Sequence, residues 1–111
     1  MSRRKGNKPA RPQQQPRTYR VELDRKHALE PIGTIHDAAF KGRVFAAIRA
    51  HAEDPRPRGC KKLSGTRTTF WRVRVSDWCV VYTIDDTRVY VLVVRAGDRN
   101  EVYGLLADAL T

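Results

Sequence analysis

The sequence is poor in the residues that build disulfide frameworks and metal centres. Its 111 residues include two cysteines, Cys60 and Cys79, whose spacing matches no metal-binding motif. Its three histidines share no ligand spacing, and no carboxylate pattern accompanies them. We therefore expect no disulfide, no metal and no other cofactor, and a protein that works in a reducing cytoplasm.

Long apolar segments and glycine-rich loops are also missing. The longest aliphatic run, residues 89–94, has the length of a β-strand and is too short to cross a membrane. The N-terminus is basic but no apolar segment follows it, so we expect neither a signal peptide nor a membrane partner. No glycine-rich phosphate-binding loop is present.

Acidic residues are scarce in two stretches, and the formal net charge is +10. Residues 1–17 carry six basic residues and no acid, while the remainder carries sixteen basic against twelve acidic residues. Within that remainder, residues 55–76 hold seven basic residues and again no acid. Such a field attracts nucleic acid or another polyanion. The alternative is a solvated surface that only favours solubility.

The composition divides the chain into a tail and one domain. Residues 1–17 are rich in Pro, Gln and Arg, which predicts a disordered basic tail, and residues 18–111 suffice for one domain with one core. We predict a strand from Thr18, a helix capped by Asp24 and ended by Pro31 to Gly33, and a second helix that starts near Thr34 or Asp37 and stops at Asp54-Pro55. A basic loop, three strands and a short C-terminal helix follow.

Alternation in the segment FWRVRVSDWCVVYTIDD, residues 70–86, predicts a hairpin with two unlike faces. A two-residue turn at Ser76-Asp77 sets the register by counting and places Arg74 opposite Cys79. The aromatic and aliphatic face must be buried, whereas Arg72 and Arg74 point away from the core. The expected fold is therefore α+β: a strand, two helices and a three-stranded antiparallel meander, with the helices on one face of a small sheet and the arginine-bearing face uncovered.

The candidate site lies on this uncovered face. We expect it to combine six side chains from strands and their ends: Lys61, Lys62, Arg72, Arg74, Arg99 and Tyr103. Arginine forks bind phosphates and stabilise the transition state of phosphodiester cleavage. The competing interpretations are that the arginines only solvate an exposed sheet face and that Tyr103 packs a helix end. Cys79 beside Arg74 is a weaker candidate nucleophile, since the sequence places no histidine near it.

Three stretches resemble the RelE/ParE superfamily of bacterial type II toxins: EDPRPRGCKKLSG, FWRVRVSDWCVVYTIDD and VYVLVVRAGDRNEVY. The resemblance covers residues 19–103. It implies the same α+β fold, a cognate antitoxin partner and, for RelE-like members, metal-independent cleavage of mRNA on the ribosome. It places Lys62, Arg72, Arg74, Arg99 and Tyr103 at positions used for RNA binding or catalysis. We assign Arg74, Arg99 and Tyr103 to catalysis and Lys61, Lys62 and Arg72 to RNA binding.

The chemistry implied is attack of a ribose 2′-OH on its own 3′-phosphate, with Tyr103 or a basic residue removing the proton, which restricts the substrate to RNA. Three positions depart from the superfamily pattern: Cys79 replaces an arginine, Asp98 a histidine and Ser76 a glycine. From the sequence we predict that Cys79→Arg increases growth inhibition. The departures keep two alternatives open: a ParE-like inhibitor of DNA gyrase, and a catalytically weakened toxin fold that binds its antitoxin or RNA.

Overall fold

The structure is a computed structural model, and it describes residues 18–63 and 68–102. The predicted tail at residues 1–17, the remainder of the C-terminal helix and Tyr103 lie outside the described residues. The described ranges contain five strands and three helices: β1 (Arg20–Leu23), α1 (Arg25–Leu29), α2 (Glu30–Gly33), α3 (Ala38–Ala50), β2 (Lys61–Leu63), β3 (Phe70–Val75), β4 (Trp78–Asp85) and β5 (Tyr90–Asp98).

One mixed sheet organises the molecule, with the strand order β1-β5-β4-β3-β2. The predicted meander is strands β3, β4 and β5, which pair antiparallel, while β1 pairs parallel with β5. The α+β class is confirmed. The basic loop was predicted too long, because Lys61–Leu63 adds a short antiparallel strand beside β3. Three residues flanked by proline, glycine and polar residues give too little alternation to predict a strand.

Aspartate caps start the helices where the sequence predicts them. Asp24 accepts the backbone N–H of His27 at 2.7 Å, and Asp37 accepts that of Ala39 at 3.0 Å. The predicted end of the first helical segment is confirmed, because α1 continues directly into α2 and α2 ends at Gly33. α1 is π-helical, and the α-helical hydrogen bonding of α2 begins after it. Pro31 lies in the first turn of α2, where a residue without an N–H is tolerated. No helix in residues 18–63 and 68–102 has the length and apolarity to cross a membrane.

The main core lies between the sheet and α3. The apolar stripe of α3 buries Val44 and Ile48 completely or nearly so, and these pack with Val80 and Tyr82 of β4. Each side of the interface is apolar on one face only, and neither would be stable in water alone. The core therefore fixes which face of the sheet is left for function.

The register of the β3–β4 hairpin is the one that counting across Ser76-Asp77 predicts: Val75 lies opposite Trp78 and Arg74 opposite Cys79. The opposite face is nevertheless not wholly uncovered. Cys79 and Val81 have no exposed surface, and Val102 packs against them from the helical residues that follow β5. The expectation of an open face is wrong at the centre of the face, where Val102 packs on Cys79 and Val81. It holds at the margin, where Arg74 is exposed.

Candidate functional site

A row of cations crosses the sheet on the face away from α3, which we call the arginine face. Lys61 of β2 pairs with Arg72 of β3, Arg72 with Val81 of β4, and Val81 with Arg95 of β5. Side chains of cross-strand partners project to the same side of a sheet. Lys61, Arg72 and Arg95 therefore form one line across four strands, and we call it the cationic row.

Arg95 is the member of this row that sequence reasoning missed. Strict alternation from Val91 and Val93, which are buried in the main core, would place Arg95 in that core. A β-bulge in β5 shifts the register beside Val81, and an extra residue at a bulge re-aims the side chains that follow. An arginine at an apparent core position in an otherwise apolar strand was the signal that could have predicted the bulge.

Arg74 projects from the next row along β3, between the cationic row and the Ser76-Asp77 turn. Its cross-strand neighbours are Cys79 and then Gly97, which offer no charge and no bulk. Arg74 is exposed, whereas Arg72 is half-buried. The two guanidinium groups thus stand on one strand, two residues apart and on the same side.

Val102 forms an apolar wall beside these arginines, and Gly97 makes room for it. A Cβ atom on Gly97 would lie 3.1 Å from Cγ2 of Val102, which is closer than ordinary packing allows. The small residue at position 97 therefore lets the helical residues 99–102 lie down on β4. That contact is also what buries Cys79, so its thiol does not face solvent as the hairpin alone would predict.

Arg99 is held at the same end of the sheet by its backbone. Its N–H donates to the carbonyl of Asp77 at 2.9 Å, which fastens the residue after β5 to the β3–β4 turn. Asp98 pairs with Trp78, whose side chain packs against the main core, so Asp98 leaves β5 on the helix side and not beside Arg74. Its carboxylate accepts the N–H of Asn100 at 3.0 Å and caps the helical residues.

The side chains of Lys62 and Lys61 project to opposite faces of the sheet. Lys62 pairs with Trp71, which packs against the main core, so the two lysines leave the strand in opposite directions. The neighbour of Lys62 on that side is Arg56, whose guanidinium stacks over the Trp71 ring at 5.1 Å and binds Asp86 at 2.9 Å. Of the six predicted site residues, Lys61, Arg72 and Arg74 share the arginine face, and the backbone of Arg99 lies at the same end of the sheet as Arg74. Lys62 projects to the other side, and Tyr103 lies outside the described residues.

The arginine face keeps its charge because its central cations lack carboxylate partners. None of the ion pairs within residues 18–63 and 68–102 involves Lys61, Arg72, Arg74, Arg95 or Arg99. Arginines elsewhere are paired, among them Arg20 with Glu22 at 3.0 Å. A group of like charges without counterions repels itself and favours binding of an anion.

Two buried titratable groups, His51 and Tyr82, lie in the main core, away from the cationic row. His51 is 1% exposed, and burial lowers its pKa below the ordinary value. Its Nδ1 donates to the carbonyl of Ala47 at 2.7 Å. Burial raises the pKa of the Tyr82 phenol, and the two rings meet edge to face at 4.3 Å. Both shifts favour the neutral form of the group, and neither ring lies on the arginine face.

The chain matches a family model described as "ParE toxin of type II toxin-antitoxin system, parDE" over residues 18–103. A comparison with curated proteins found no match. The matched range spans the whole sheet, both faces and all three helices.

Solved structures share the fold at low sequence identity. An archaeal RelE in complex with RelB from Pyrococcus horikoshii is 23% identical, with a TM-score of 0.64 over 74% of this chain and 96% of that one. The isolated Escherichia coli RelE toxin is 23% identical, with a TM-score of 0.60 over 84% and 99%. The RelBE2 complex of Mycobacterium tuberculosis is 21% identical, with a TM-score of 0.59 over 75% and 93%.

Proposed function

The chain belongs to the ParE toxin family of type II toxin-antitoxin systems, within the RelE/ParE superfamily, and we propose that this toxin cleaves mRNA on the ribosome. The single observation that carries the proposal is the set of arginines on the arginine face that have no carboxylate partner in the described ranges. Clustered guanidinium groups on a surface are suited to the phosphates of a nucleic acid strand.

Arg74 and Arg99 are the residues proposed to hold the reacting phosphate. Arg74 is exposed on β3, and the N–H of Arg99 donates to Asp77 at the turn that ends β3, so both arginines lie at one end of the sheet. A phosphate between two guanidinium groups gains negative charge as the ribose 2′-OH attacks it. Fixed cations stabilise that charge more strongly in the transition state than in the ground state.

The reaction proposed is a transesterification. The 2′ oxygen bonds to the 3′-phosphorus, its proton passes to a base, and the bond to the 5′ oxygen breaks, which leaves a 2′,3′-cyclic phosphate and a 5′-OH. Tyr103 or a basic residue is the proposed proton acceptor. Lys61 and Arg72 would hold neighbouring phosphates, whereas Lys62, on the other side of β2, would contact only RNA that bends around the edge of the sheet.

A cognate antitoxin is the proposed protein partner. Two of the similar structures, from Pyrococcus horikoshii and Mycobacterium tuberculosis, are complexes of a RelE toxin with its antitoxin. An acidic or partly acidic antitoxin segment that reached the arginine face would neutralise it and exclude RNA from the same surface.

Cleavage is tested by mapping new mRNA 5′ ends with purified protein in a translating extract. Wild-type protein should generate ends within translated codons, and Arg74→Gln should lower the cleavage rate by about 10²–10³, the loss typical of one transition-state donor. Arg88→Gln is the matched control, because Arg88 is exposed but lies at the other end of the sheet beside Asp85. Cleavage that survives in Arg74→Gln would remove Arg74 from the site.

Inhibition of DNA gyrase is the second candidate, favoured by the family model, which is one of ParE toxins. It needs a protein-binding surface and no proton acceptor. A supercoiling assay separates the two candidates, since inhibition of gyrase without new mRNA ends would support this candidate and exclude the first. A weakened toxin fold would give neither signal and would still bind its antitoxin.

A further inference from the structure

A cavity of about 210 Å³ opens where the cationic row meets the first helix. Its lining includes Lys26 and His27 of α1, Arg95 of β5, and Glu101 and Val102 of the helical residues after β5. Val102 is the same side chain that walls the site around Arg74. The cavity and the arginine face therefore meet at Val102.

Positive charge dominates the cavity lining. Lys26 and Arg95 are permanent cations and Glu101 is the only carboxylate among the lining residues. Arg95 forms no ion pair within the described ranges, although it is half-buried. A half-buried guanidinium loses part of its hydration, and no carboxylate oxygen of the described ranges lies within 4.0 Å of Arg95, so an external anion would complete its hydrogen bonding.

A second carboxylate, that of Asp24, lies near enough to Arg95 to be affected by its charge, and it is already engaged. Asp24 accepts the backbone N–H of His27 at 2.7 Å and lies 2.9 Å from its Nδ1. The hydrogen bond from this N–H is the main cause that lowers the pKa of the Asp24 carboxyl, and the charge of Arg95 adds to the shift. Asp24 caps α1 with this same oxygen, Oδ2. Its carboxylate therefore cannot turn towards Arg95 and neutralise it without giving up the cap.

Arg72 and the cavity at Arg95 belong to strands that are not neighbours in the sheet. Arg72 and Arg95 are separated by the whole width of β4, so their strands are about 10 Å apart, twice the usual spacing of neighbouring strands. A guanidinium contacts phosphate oxygens at about 2.7–2.9 Å. Arg72 and Arg95 therefore suit two different phosphates of one chain that crosses the strands.

We propose that the cavity lined by Lys26, His27 and Arg95 is a subsite for a flanking phosphate of the same single RNA strand whose reacting phosphate lies at Arg74. The inference rests on the proposed function and adds a direction to it: the strand runs from β3 over Val102, which covers β4, and on to Arg95 and α1. The position of the cleaved bond then depends on the nucleotides that flank the reacting phosphate.

The test measures binding of oligonucleotides that cannot be cleaved. Single-stranded 2′-O-methyl RNAs lack the attacking hydroxyl, and a dinucleotide, a tetranucleotide and a hexanucleotide offer increasing numbers of phosphates. Fluorescence anisotropy should show affinity that rises with length in the wild-type protein. Arg95→Gln should remove most of the rise, about tenfold for the longest oligonucleotide, and leave dinucleotide affinity unchanged.

Salt dependence and removal of the negative charge at Glu101 provide independent readouts. Loss of one phosphate contact should reduce the slope of log affinity against log salt by about 0.7 for single-stranded nucleic acid. Glu101→Gln should have the opposite effect and strengthen binding of the longest oligonucleotide. Arg88→Gln is the control, because it removes an equal charge from the far end of the sheet.

Each outcome separates the subsite from the proposed function. If Arg74→Gln abolishes binding at every length while Arg95→Gln changes nothing, the subsite is wrong and the site at Arg74 stands. If Arg95→Gln weakens all lengths equally, Arg95 contributes only to the general field and the subsite is again wrong. If hexaglutamate binding depends on Arg95 and RNA binding does not, the cavity faces protein. If the wild-type protein binds no oligonucleotide at any length, the subsite is wrong, whereas the proposed function is decided separately by mapping mRNA 5′ ends in the translating extract.

Discussion

The two ends of the arginine face carry arginines in opposite states. Next to the β4–β5 turn, Arg20 pairs with Glu22 at 3.0 Å and Arg88 with Asp85 at 3.8 Å. Towards the β3–β4 turn, Arg72 and Arg74 have no such partner within the described ranges. Exposed ion pairs add little to stability, so the main effect of pairing at the first end is to cancel the field there. The difference directs a polyanion to the second end.

Burial distinguishes the ends as well. The second end has an apolar centre in which Cys79 and Val81 are fully buried under Val102. A dry surface beside cations strengthens their attraction for a phosphate, because water screens the charges less. The comparison thus predicts that both the charge and the apolar centre are needed, and the experiments below change one of them at a time.

Cys79→Arg should give the largest effect on stability, and it reverses the prediction made from the sequence. A guanidinium at this position would be buried under Val102 without a counterion, or would displace Val102 from β4. We expect a loss of about 3 kcal/mol or more in the free energy of unfolding, measured by urea denaturation. Cys79→Ala is the control and should lose far less. A stable Cys79→Arg protein with faster mRNA cleavage would show that Val102 moves aside and that the sequence prediction was right.

That reversal shows where sequence reasoning reached its limit. Alternation and a two-residue turn determined the hairpin register, the two faces and the outward position of Arg72 and Arg74, because these depend on neighbours close in the chain. The caps at Asp24 and Asp37 were likewise local features. Local rules are sufficient wherever a residue's environment is made by its own element and the next one.

The features that were missed depend on distant contacts or on irregular backbone. The cover over Cys79 comes from Val102, and no pattern in β4 predicts which later residue will pack on it. Arg95 reached the arginine face only through a bulge. The segment that holds Lys61 and Lys62 was predicted to be a loop, in which side-chain directions do not alternate, so the two lysines were grouped together. The segment is the short strand β2, which directs the two side chains to opposite faces.

Lys61→Glu tests whether the position of the charge matters. The new carboxylate would lie opposite Arg72 and neutralise it, as Glu22 does for Arg20 at the other end. RNA affinity should fall about tenfold or more, measured by anisotropy at constant salt, while stability should change by less than about 1 kcal/mol.

Glu22→Gln is the matched change at the other end, since it releases Arg20 and raises the net charge by one. It should alter affinity by a small factor and in the opposite direction. Equal and opposite effects of Lys61→Glu and Glu22→Gln would mean that net charge alone governs binding, and the contrast between the ends would lose its meaning.

A pH titration separates the covered face from the arginine face. His51 has a folded-state pKa below 6.5, so the unfolded chain binds more protons once the pH falls below about that value. The free energy of unfolding should therefore decrease as the pH drops through 6.5 and be insensitive to His51 above it. His51→Asn keeps a donor for the Ala47 carbonyl and removes the titration, so it should flatten this decline. An unchanged decline in His51→Asn would place the acid sensitivity elsewhere.

The smallest expected effects come from the two hairpin turns, one at each end of the face. Ser76 and Val89 both have left-handed backbone, with φ of 56° and 55°. Glycine relieves this strain, so Ser76→Gly should raise the free energy of unfolding by about 1 kcal/mol, and Val89→Gly should act in the same direction from the paired end. Thermal unfolding should shift upward by roughly 4 °C or more.

Ser76→Gly also tests whether the strained backbone at the Ser76-Asp77 turn helps to position Arg99. The turn presents the Asp77 carbonyl that holds the Arg99 N–H at 2.9 Å, whereas the Val89 carbonyl accepts the N–H of Arg20. Because glycine adopts the same φ, Arg99 should stay in place and RNA cleavage should be unchanged while stability rises. If Ser76→Gly gains stability but loses cleavage, and Val89→Gly loses none, the strained serine turn is a positioning element for Arg99 and the two ends differ in backbone as well as in charge.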